Sequence, residues 1–432
     1  RFDGAMANSA VWVNGQQVAA HKDGYTPFTA RLTGLLQEGD NLITVKVDGS
    51  ENPEIPPFGG QIDYLTYAGI YRDVWLQVND AVSIANLKVE TSNELTDAKG
   101  VRVKGFIANP ANAPVSGKAL VELCNVDGTV LQHQTVVVSG AGFEANFSQL
   151  AGLKLWELDA PQLYLVRATL DNRDQLSTRF GFRTARFTTE GFFLNGKPLK
   201  IRGLNRHQSY PYVGYAMGQR AQAKDADVMK DVLKCNLVRT SHYPQSTYFL
   251  DRCDEIGLLV FEEIPGWQHI GGQAWQDESV ENVRRMVERD WNHPSIIIWG
   301  VRINESQDNH DFYTRTNAMA RSLDTTRQTG GVRYIENSEL LEDVYTVNDF
   351  CHVAPPEWMK GIAPTPLRQP RQVTGLAHEV PYLVTEFNGH MYPTKRIDPE
   401  DRQAEHVRRH LDVLNKAYEN PVISGAIGWC MF

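Results

Sequence analysis

The chain lacks several features that would place it in particular classes of protein. Its five cysteines (Cys124, Cys235, Cys253, Cys351 and Cys430) include no C-x-x-C pair, which argues against a zinc site and a disulfide framework and makes a reducing cytoplasm the expected setting. No apolar run approaches the roughly 20 residues of a bilayer-spanning helix, so no membrane segment is expected. Basic residues form no stripe: the net charge is −9 with both signs interspersed, and the electrostatic footprint that nucleic acid requires is missing. An initiating methionine is lacking too. The first residues, RFDGAMANSAVWVNG, already read as a strand, and the native N-terminus, with any signal peptide, is expected to lie outside this sequence.

What is present is a globular balance, with 42% hydrophobic and 22% charged residues, and enough length for two to four domains of about 100–200 residues each. Residues 1–78 hold short alternating runs, SAVWVNGQQVAAH and NLITVKV, broken by Asn-Gly and Gly-Asp turn signals, which predicts an antiparallel β domain. Residues 79–185 continue the alternation in VRVKGFIAN, KALVELCNV and LYLVRATL, as in an immunoglobulin-like β-sandwich. From 186 to 432 the texture changes, and β-rich runs alternate with charged helical stretches such as QRAQAKDADVMKDVLKCN and SVENVRRMVERDWN. Eight candidate strands, LKIRGLN, LVRTSHY, LLVFEEI, SIIIWGV, VRYIENS, VYTVNDF, YLVTEFN and ISGAIGWCMF, predict a (β/α)8 TIM barrel.

Functional residues of such a barrel sit at the carboxyl ends of the strands. Nearly every candidate strand ends in polar groups: Asn205 and His207, His242, Glu262 and Glu263, Asn304 and Glu305, Glu336 and Asn337, Asn348 and Asp349, Glu386 and Asn388. A packed interior would reject these side chains, so they are expected to form one site at the rim, although any one of them also suits a helix N-cap or loop start. Glu305 is expected to end the fourth strand and Glu386 the seventh, facing each other across the mouth. Paired carboxyl groups are the equipment of glycoside hydrolysis, with retention of configuration at separations of roughly 5–5.5 Å and inversion at about 6.5–9.5 Å.

Four stretches, NHPSIIIWGVRINES, KIRGLNRHQSYP, LVRTSHYP and YLVTEFNGH, resemble the signatures of glycoside hydrolase family 2, which includes β-galactosidases and β-glucuronidases. VWVNGQQVAAHKDGYTPF and AGIYRDVWLQV are similar to the sugar-binding domain of that family. The resemblance implies a jelly-roll-like β-sandwich, an immunoglobulin-like β-sandwich and a TIM barrel, trimmed at both ends. It also implies a retaining exo-enzyme that removes a terminal β-linked galactose through a covalent glycosyl-enzyme. Carried over residue by residue, it makes Glu305 the acid/base, Glu386 the nucleophile and Asn304 the partner of the sugar 2-OH. His207, His242, Trp429 and Asp63 become sugar contacts, each with an ordinary structural reading beside it: core histidine, core tryptophan or turn aspartate. On that chemistry Glu305 needs a raised pKa and Glu386 must stay ionised, with Arg202 and Arg239 as its supports or as partners of Glu262 and Glu263.

The resemblance has departures. In metal-dependent members a magnesium ion lies beside the acid/base, but here FEEIPGWQHI keeps His269 and has Trp267 where the acidic ligand would fall, so no metal and no other cofactor is expected. WGVRINES is one residue longer than the better-known β-galactosidase form, and a bulge is expected to aim Glu305. VNDFCH, with Asn348, Asp349 and Phe350, stands where the family has a tyrosine after strand six, and His390 is left without a role. A β-glucuronidase or β-galacturonidase, with Lys395 and Arg396 as cations for the sugar carboxylate, is the nearest alternative. A non-catalytic carbohydrate-binding protein on the same scaffold is the alternative of another class. The expected partner is a carbohydrate substrate, with no nucleic acid and no membrane, and a homo-oligomer is left open.

Overall fold

The alternation read in the first β region is what folds it. In Asn8–Val13 every second side chain, Ser9, Val11 and Val13, is buried. This strand lies between Gln16–Lys22 and Ile43–Asp48 in an antiparallel sheet. The Asn14-Gly15 turn joins the first two with positive φ at both residues (48° and 85°), as a tight hairpin requires. The computed structural model of the protein describes residues 1–110, 115–140, 142–171, 173–352, 365–389 and 392–431. The second β region forms one seven-stranded antiparallel array running from Ser83–Ser92 to Asp174–Phe180. It curls around a core that includes Leu87, Val103, Val121, Phe147, Val166 and Phe182, the interior of a sandwich.

The rest of the chain is a closed barrel of eight parallel strands. They are β1 (Ile201–Asn205), β2 (Leu237–Thr240), β3 (Leu259–Glu263), β4 (Ile296–Gly300), β5 (Gln328–Arg333), β6 (Val344–Asn348), β7 (Tyr382–Glu386) and β8 (Ile423–Gly428). Each of the eight predicted runs supplies one strand, with two shifts. β5 begins at Gln328, ahead of VRYIENS, because its paired glycines Gly330 and Gly331 lie against Ile298 and Arg302 and carry no apolar pattern to read. β4 ends at Gly300, so Glu305 stands in the following loop rather than at a strand end. The register irregularity between β3 and β4 lies at Val260 and Phe261, not next to Glu305.

A small hairpin sheet, Ala185–Thr188, Gly191–Leu194 and Lys197–Pro198, precedes β1. Its Phe187, Phe192 and Leu194 pack into one cluster with Ile201, Leu237, Leu259, Ile297, Val332 and Leu383, and so stopper the amino end of the barrel. Helices ring the outside. Gln273–Asp290 buries Trp275, Ser279, Val283, Met286, Val287 and Asp290 along one stripe. Among the described residues, no helix is long and apolar enough to cross a membrane.

The three regions are tied by buried polar groups. Trp275 Nε1 donates to the Phe58 carbonyl (2.8 Å), Trp291 Nε1 to that of Leu87 (2.9 Å) and Trp156 Nε1 to that of Asp254 (2.8 Å). Each indole buries a large apolar face and still finds an acceptor. The first β region therefore comes to lie against the carboxyl end of the barrel, with Tyr64 in ring contact with His207 and His242 (centroids 5.0 and 5.8 Å apart).

Candidate active site

The mouth of the barrel is organised by Arg239 on β2, whose side chain is fully buried. Its guanidinium donates through Nε and Nη2 to the two oxygens of Glu263 on β3 (2.9 and 2.7 Å). Nη1 donates to Glu386 Oε1 on β7 (2.6 Å) and to Asn205 Oδ1 on β1 (2.9 Å). Nη2 also donates to Asn304 Oδ1 in the loop after β4 (2.9 Å) and lies 3.0 Å from His242 Nδ1. A planar, permanently charged fork is the side chain able to hold so many acceptors at fixed angles. One residue thereby fixes groups from five segments of the barrel.

Glu305 is held separately. Its Oε1 accepts from Asn348 Nδ2 (2.9 Å) and its Oε2 from Gln268 Nε2 (3.2 Å), while Asn348 Oδ1 accepts from Thr385 Oγ1 (2.9 Å), the residue before Glu386. The backbone is shaped for this: Glu305 and Gln268 both take left-handed φ values (53° and 54°), uncommon for side chains of this size. Asn304 bridges to Trp267, and Gln268 N donates to the Asn304 carbonyl (2.7 Å). The loop that follows β4, rather than a bulge within it, aims Glu305.

His242 stacks on Trp429, which follows β8 directly (centroids 5.1 Å apart, planes at 9°), and His207 meets the same indole edge-on (5.3 Å, 87°). His242 Nε2 lies 4.0 Å from Glu386 Oε1. Burial, then the charges of neighbouring groups, drive both histidines well below 6.5, so they are neutral imidazoles at physiological pH. Burial raises the Glu386 carboxyl well above 4.5; the Arg239 charge pulls it back, and the negative charge of Glu305 pushes it up again. Burial takes Glu263 to about 7 against the pull of Arg239. Asp63 is open to solvent by surface area, yet the protein packed around it and then the charge of Glu305 lift it to about 6. The mouth thus gathers carboxyl groups around one guanidinium and favours a proton or a developing positive charge.

The structure brings Glu386, Asn304, His207, His242 and Trp429 together, and the charge of Glu305 reaches both Glu386 and Asp63. It does not gather every polar strand end. Side chains alternate along a strand, so Glu262 points away from Glu263 and accepts from Arg289 on the outer helix (3.1 Å). Arg202 is exposed, with Nε on the Lys234 carbonyl (3.0 Å), and supports neither carboxylate. Glu336 and Asp349 both pair with Arg368 (3.2 and 3.4 Å). His269 packs against Gly59 and Gly60 and meets Trp275 edge-on. His390 lies outside the described residues.

Tyr64, Gln268 and Thr385 take part although the sequence reading did not single them out. Tyr64 had a signal, being next to Asp63, whereas a loop glutamine and a strand threonine carry none. Among the described residues, Asp251, Asp254 and His293 could bring three ligand atoms to a metal ion, but they lie away from the mouth. There Arg179 pairs with Asp251 (2.6 Å) and His293 with Asp254 (2.6 Å). A cavity of about 710 Å³ at the amino end of the barrel, lined by Val89, Arg183, Trp291 and Arg327 among others, shares no residue with the mouth.

Comparison with known proteins gives matches along most of the chain. Residues 1–79 match the family described as "Glycosyl hydrolases family 2, sugar binding domain", residues 82–183 "Glycosyl hydrolases family 2" and residues 186–398 "Glycosyl hydrolases family 2, TIM barrel domain". A protein of Thermoanaerobacterium thermosulfurigenes named beta-galactosidase is 51% identical over 441 residues, covering 100% of this chain and 60% of the relative. Another beta-galactosidase, from Rhizobium meliloti, is 56% identical over 429 residues, covering 95% of this chain and 55% of the relative. A Bacteroides uniformis beta-glucuronidase of known structure aligns with a TM-score of 0.84 at 26% identity, over 99% of this chain and 56% of that one. The chain spans little more than half the length of these proteins.

Proposed function

This chain belongs to family 2 of the glycosyl hydrolases, and from that premise we propose that it removes a terminal β-linked galactose, with retention, through a glycosyl-enzyme formed on Glu386. The observation that carries the reading is the pair of carboxyl groups at one barrel mouth. Glu386 is bound through Oε1 to Arg239, and Glu305 is held on both oxygens by neutral amides. In the first step Glu386 Oε2, the oxygen not engaged by Arg239, bonds to the anomeric carbon. The glycosidic C–O bond breaks, and the Glu305 proton passes to the departing oxygen. In the second, Glu305 takes a proton from water, the water oxygen bonds to the anomeric carbon, and Glu386 is released.

The surrounding groups fit supporting parts. Asn304 has Oδ1 on Arg239 and Nδ2 unpaired, so its N–H is available to the sugar 2-OH; the Nε2 atoms of His207 and His242 are likewise unpaired. Trp429 offers an apolar face to the ring, and Asp63 reaches in from the first β region. The surplus of carboxyl groups suits an oxocarbenium-like transition state. We place the domains at 1–78, 79–185 and 186–432, and the scattered cysteines favour a cytoplasmic setting.

A β-glucuronide is the second reading, favoured by the likeness to the Bacteroides uniformis enzyme. It requires a cation for the sugar carboxylate, but Arg239 is engaged at all its nitrogens, and Lys395 and Arg396 lie exposed in the loop after β7. The deciding experiment compares hydrolysis of aryl β-galactoside, β-glucuronide and β-galacturonide by the full-length protein. Preference for the galactoside supports the proposal; preference for a uronide replaces it, and turnover of none favours the binding-protein reading.

The proton-donor role predicts a dependence on the leaving group. In Glu305→Ala, galactosides of acidic phenols are expected to keep most of their glycosylation rate, because those phenolates leave unaided. Galactosides of alkyl alcohols are expected to lose about 10²–10⁴-fold, the usual worth of general-acid help. Plotting kcat/KM against leaving-group acidity tests this, and an equal loss across the series removes Glu305 from the acid's role.

A further inference from the structure

Among the described residues, Asn388 carries two polar side-chain atoms that the steps above leave unused. It stands two positions after Glu386 and is 2% exposed, yet neither its Nδ2 nor its Oδ1 has a partner. Buried polar atoms are nearly always paired, and each one left unpaired is costly to the fold. Asn388 leaves both a donor and an acceptor in that state.

Its place in the fold is tightly fixed. Before it, the Phe387 carbonyl accepts from the Trp429 N–H (3.1 Å). After it, Gly389 has φ 63° and is pressed so closely to Trp429 that an added Cβ would collide with the Trp429 carbonyl oxygen. Asn388 thus sits two positions after Glu386, between two residues whose backbones lie against Trp429, and His207, His242 and Asn304 at the mouth each also carry an unpaired nitrogen. A cluster of unsatisfied polar atoms around two carboxyl groups is the imprint of a ligand rich in hydroxyls.

Asn388 also has φ 54°, a left-handed conformation that asparagine tolerates better than most residues. That alone would account for an asparagine here with no ligand. Substitution by glycine separates the two accounts, since glycine accepts this φ without strain and has no amide.

Resting on the glycosidase reading of this site, we propose that Asn388 is a specificity-determining residue that binds two adjacent ring hydroxyls of the glycone. Nδ2 donates to one hydroxyl and Oδ1 accepts from the other.

The test uses the full-length protein, wild type against Asn388→Gly and Asn388→Asp, with aryl β-galactoside and its 2-, 3-, 4- and 6-deoxy analogues. Asn388→Gly is expected to lower kcat/KM on the parent glycoside about 10–100-fold. The factor is expected to shrink for two analogues lacking neighbouring hydroxyls and to stay whole for the rest. Asn388→Asp, which keeps the acceptors and gives up the donor, is expected to lose its contact to one hydroxyl of that pair; it also carries the test if the glycine variant does not fold, as judged by circular dichroism and melting. Wild-type kcat/KM in Asn388→Gly, or one common loss across the whole panel, overturns the proposal. Those outcomes require an active wild type, so they are distinct from a wild type inactive on all three aryl glycosides, which defeats the glycosidase reading itself.

Discussion

Glu386→Gln is expected to reduce turnover by at least about 10⁴-fold, the scale on which loss of a catalytic nucleophile is felt, while making the folded protein more stable at alkaline pH. The first half follows from the proposed role: a neutral amide oxygen does not displace an alkoxide from the anomeric carbon. The second follows from electrostatics. Burial and the charge of Glu305 raise the folded-state pKa of Glu386 well above 4.5 despite Arg239, so the native protein holds this proton more tightly than the unfolded chain. That preference favours folding fully below the unfolded pKa and is lost as pH rises through the raised value. Above it the native state carries a buried charge, which glutamine removes while keeping an oxygen for Arg239. The melting temperature of the variant relative to wild type is therefore expected to be unchanged near pH 4 and higher near pH 8. In the wild type, the acid limb of kcat/KM is expected above 4.5, because attack needs the ionised carboxylate. Near-normal turnover excludes Glu386 as nucleophile; a melting deficit that deepens toward pH 8 excludes the electrostatic account.

Arg239→Met is expected to be the most destabilising single change at the mouth. It leaves the buried carboxyl groups of Glu263 and Glu386 and the acceptor oxygens of Asn205 and Asn304 without their common donor. Breaking a buried ion pair by removing one partner costs about 3–5 kcal/mol, to be read as a lower urea midpoint. The deficit is expected to narrow in acid, where both carboxyl groups take up protons, and to be partly recovered in Arg239→Met/Glu263→Gln, which removes one of the stranded charges. Arg239→Lys restores charge without the fork and is expected to fall between. Equal midpoints for wild type and Arg239→Met would show that the network contributes nothing to the fold.

The barrel was legible in the sequence because its strands are buried on both faces, which leaves continuous apolar runs such as SIIIWGV bounded by turns. The exceptions have local causes. β5 opens on QTGG, whose two glycines carry no hydrophobic signal, and the stoppering hairpin is too short to show a period. Within the site, residues next to an apolar run could be located, but not always their direction. Glu262 and Glu263 are adjacent in sequence and diverge in space, and the alternation of a strand would have separated them. Arg202 and Arg239 differ for a similar reason, one facing solvent and the other the barrel axis. Gln268 and Thr385 were beyond reach, since what brings them to the mouth is the left-handed turn at Gln268 and the pairing of Asn348 with both Thr385 and Glu305.

The aromatic hairpin packed under the barrel floor closes the amino end, so among the described residues the two carboxyl groups are approached from the opposite end of the barrel. On the proposed chemistry the glycone occupies the blind end, and the group it was attached to departs first through the vestibule that the incoming water must then use. Another sugar can stand in that vestibule as readily as water does, so concentrated substrate should divert part of the reaction from cleavage into oligosaccharide synthesis.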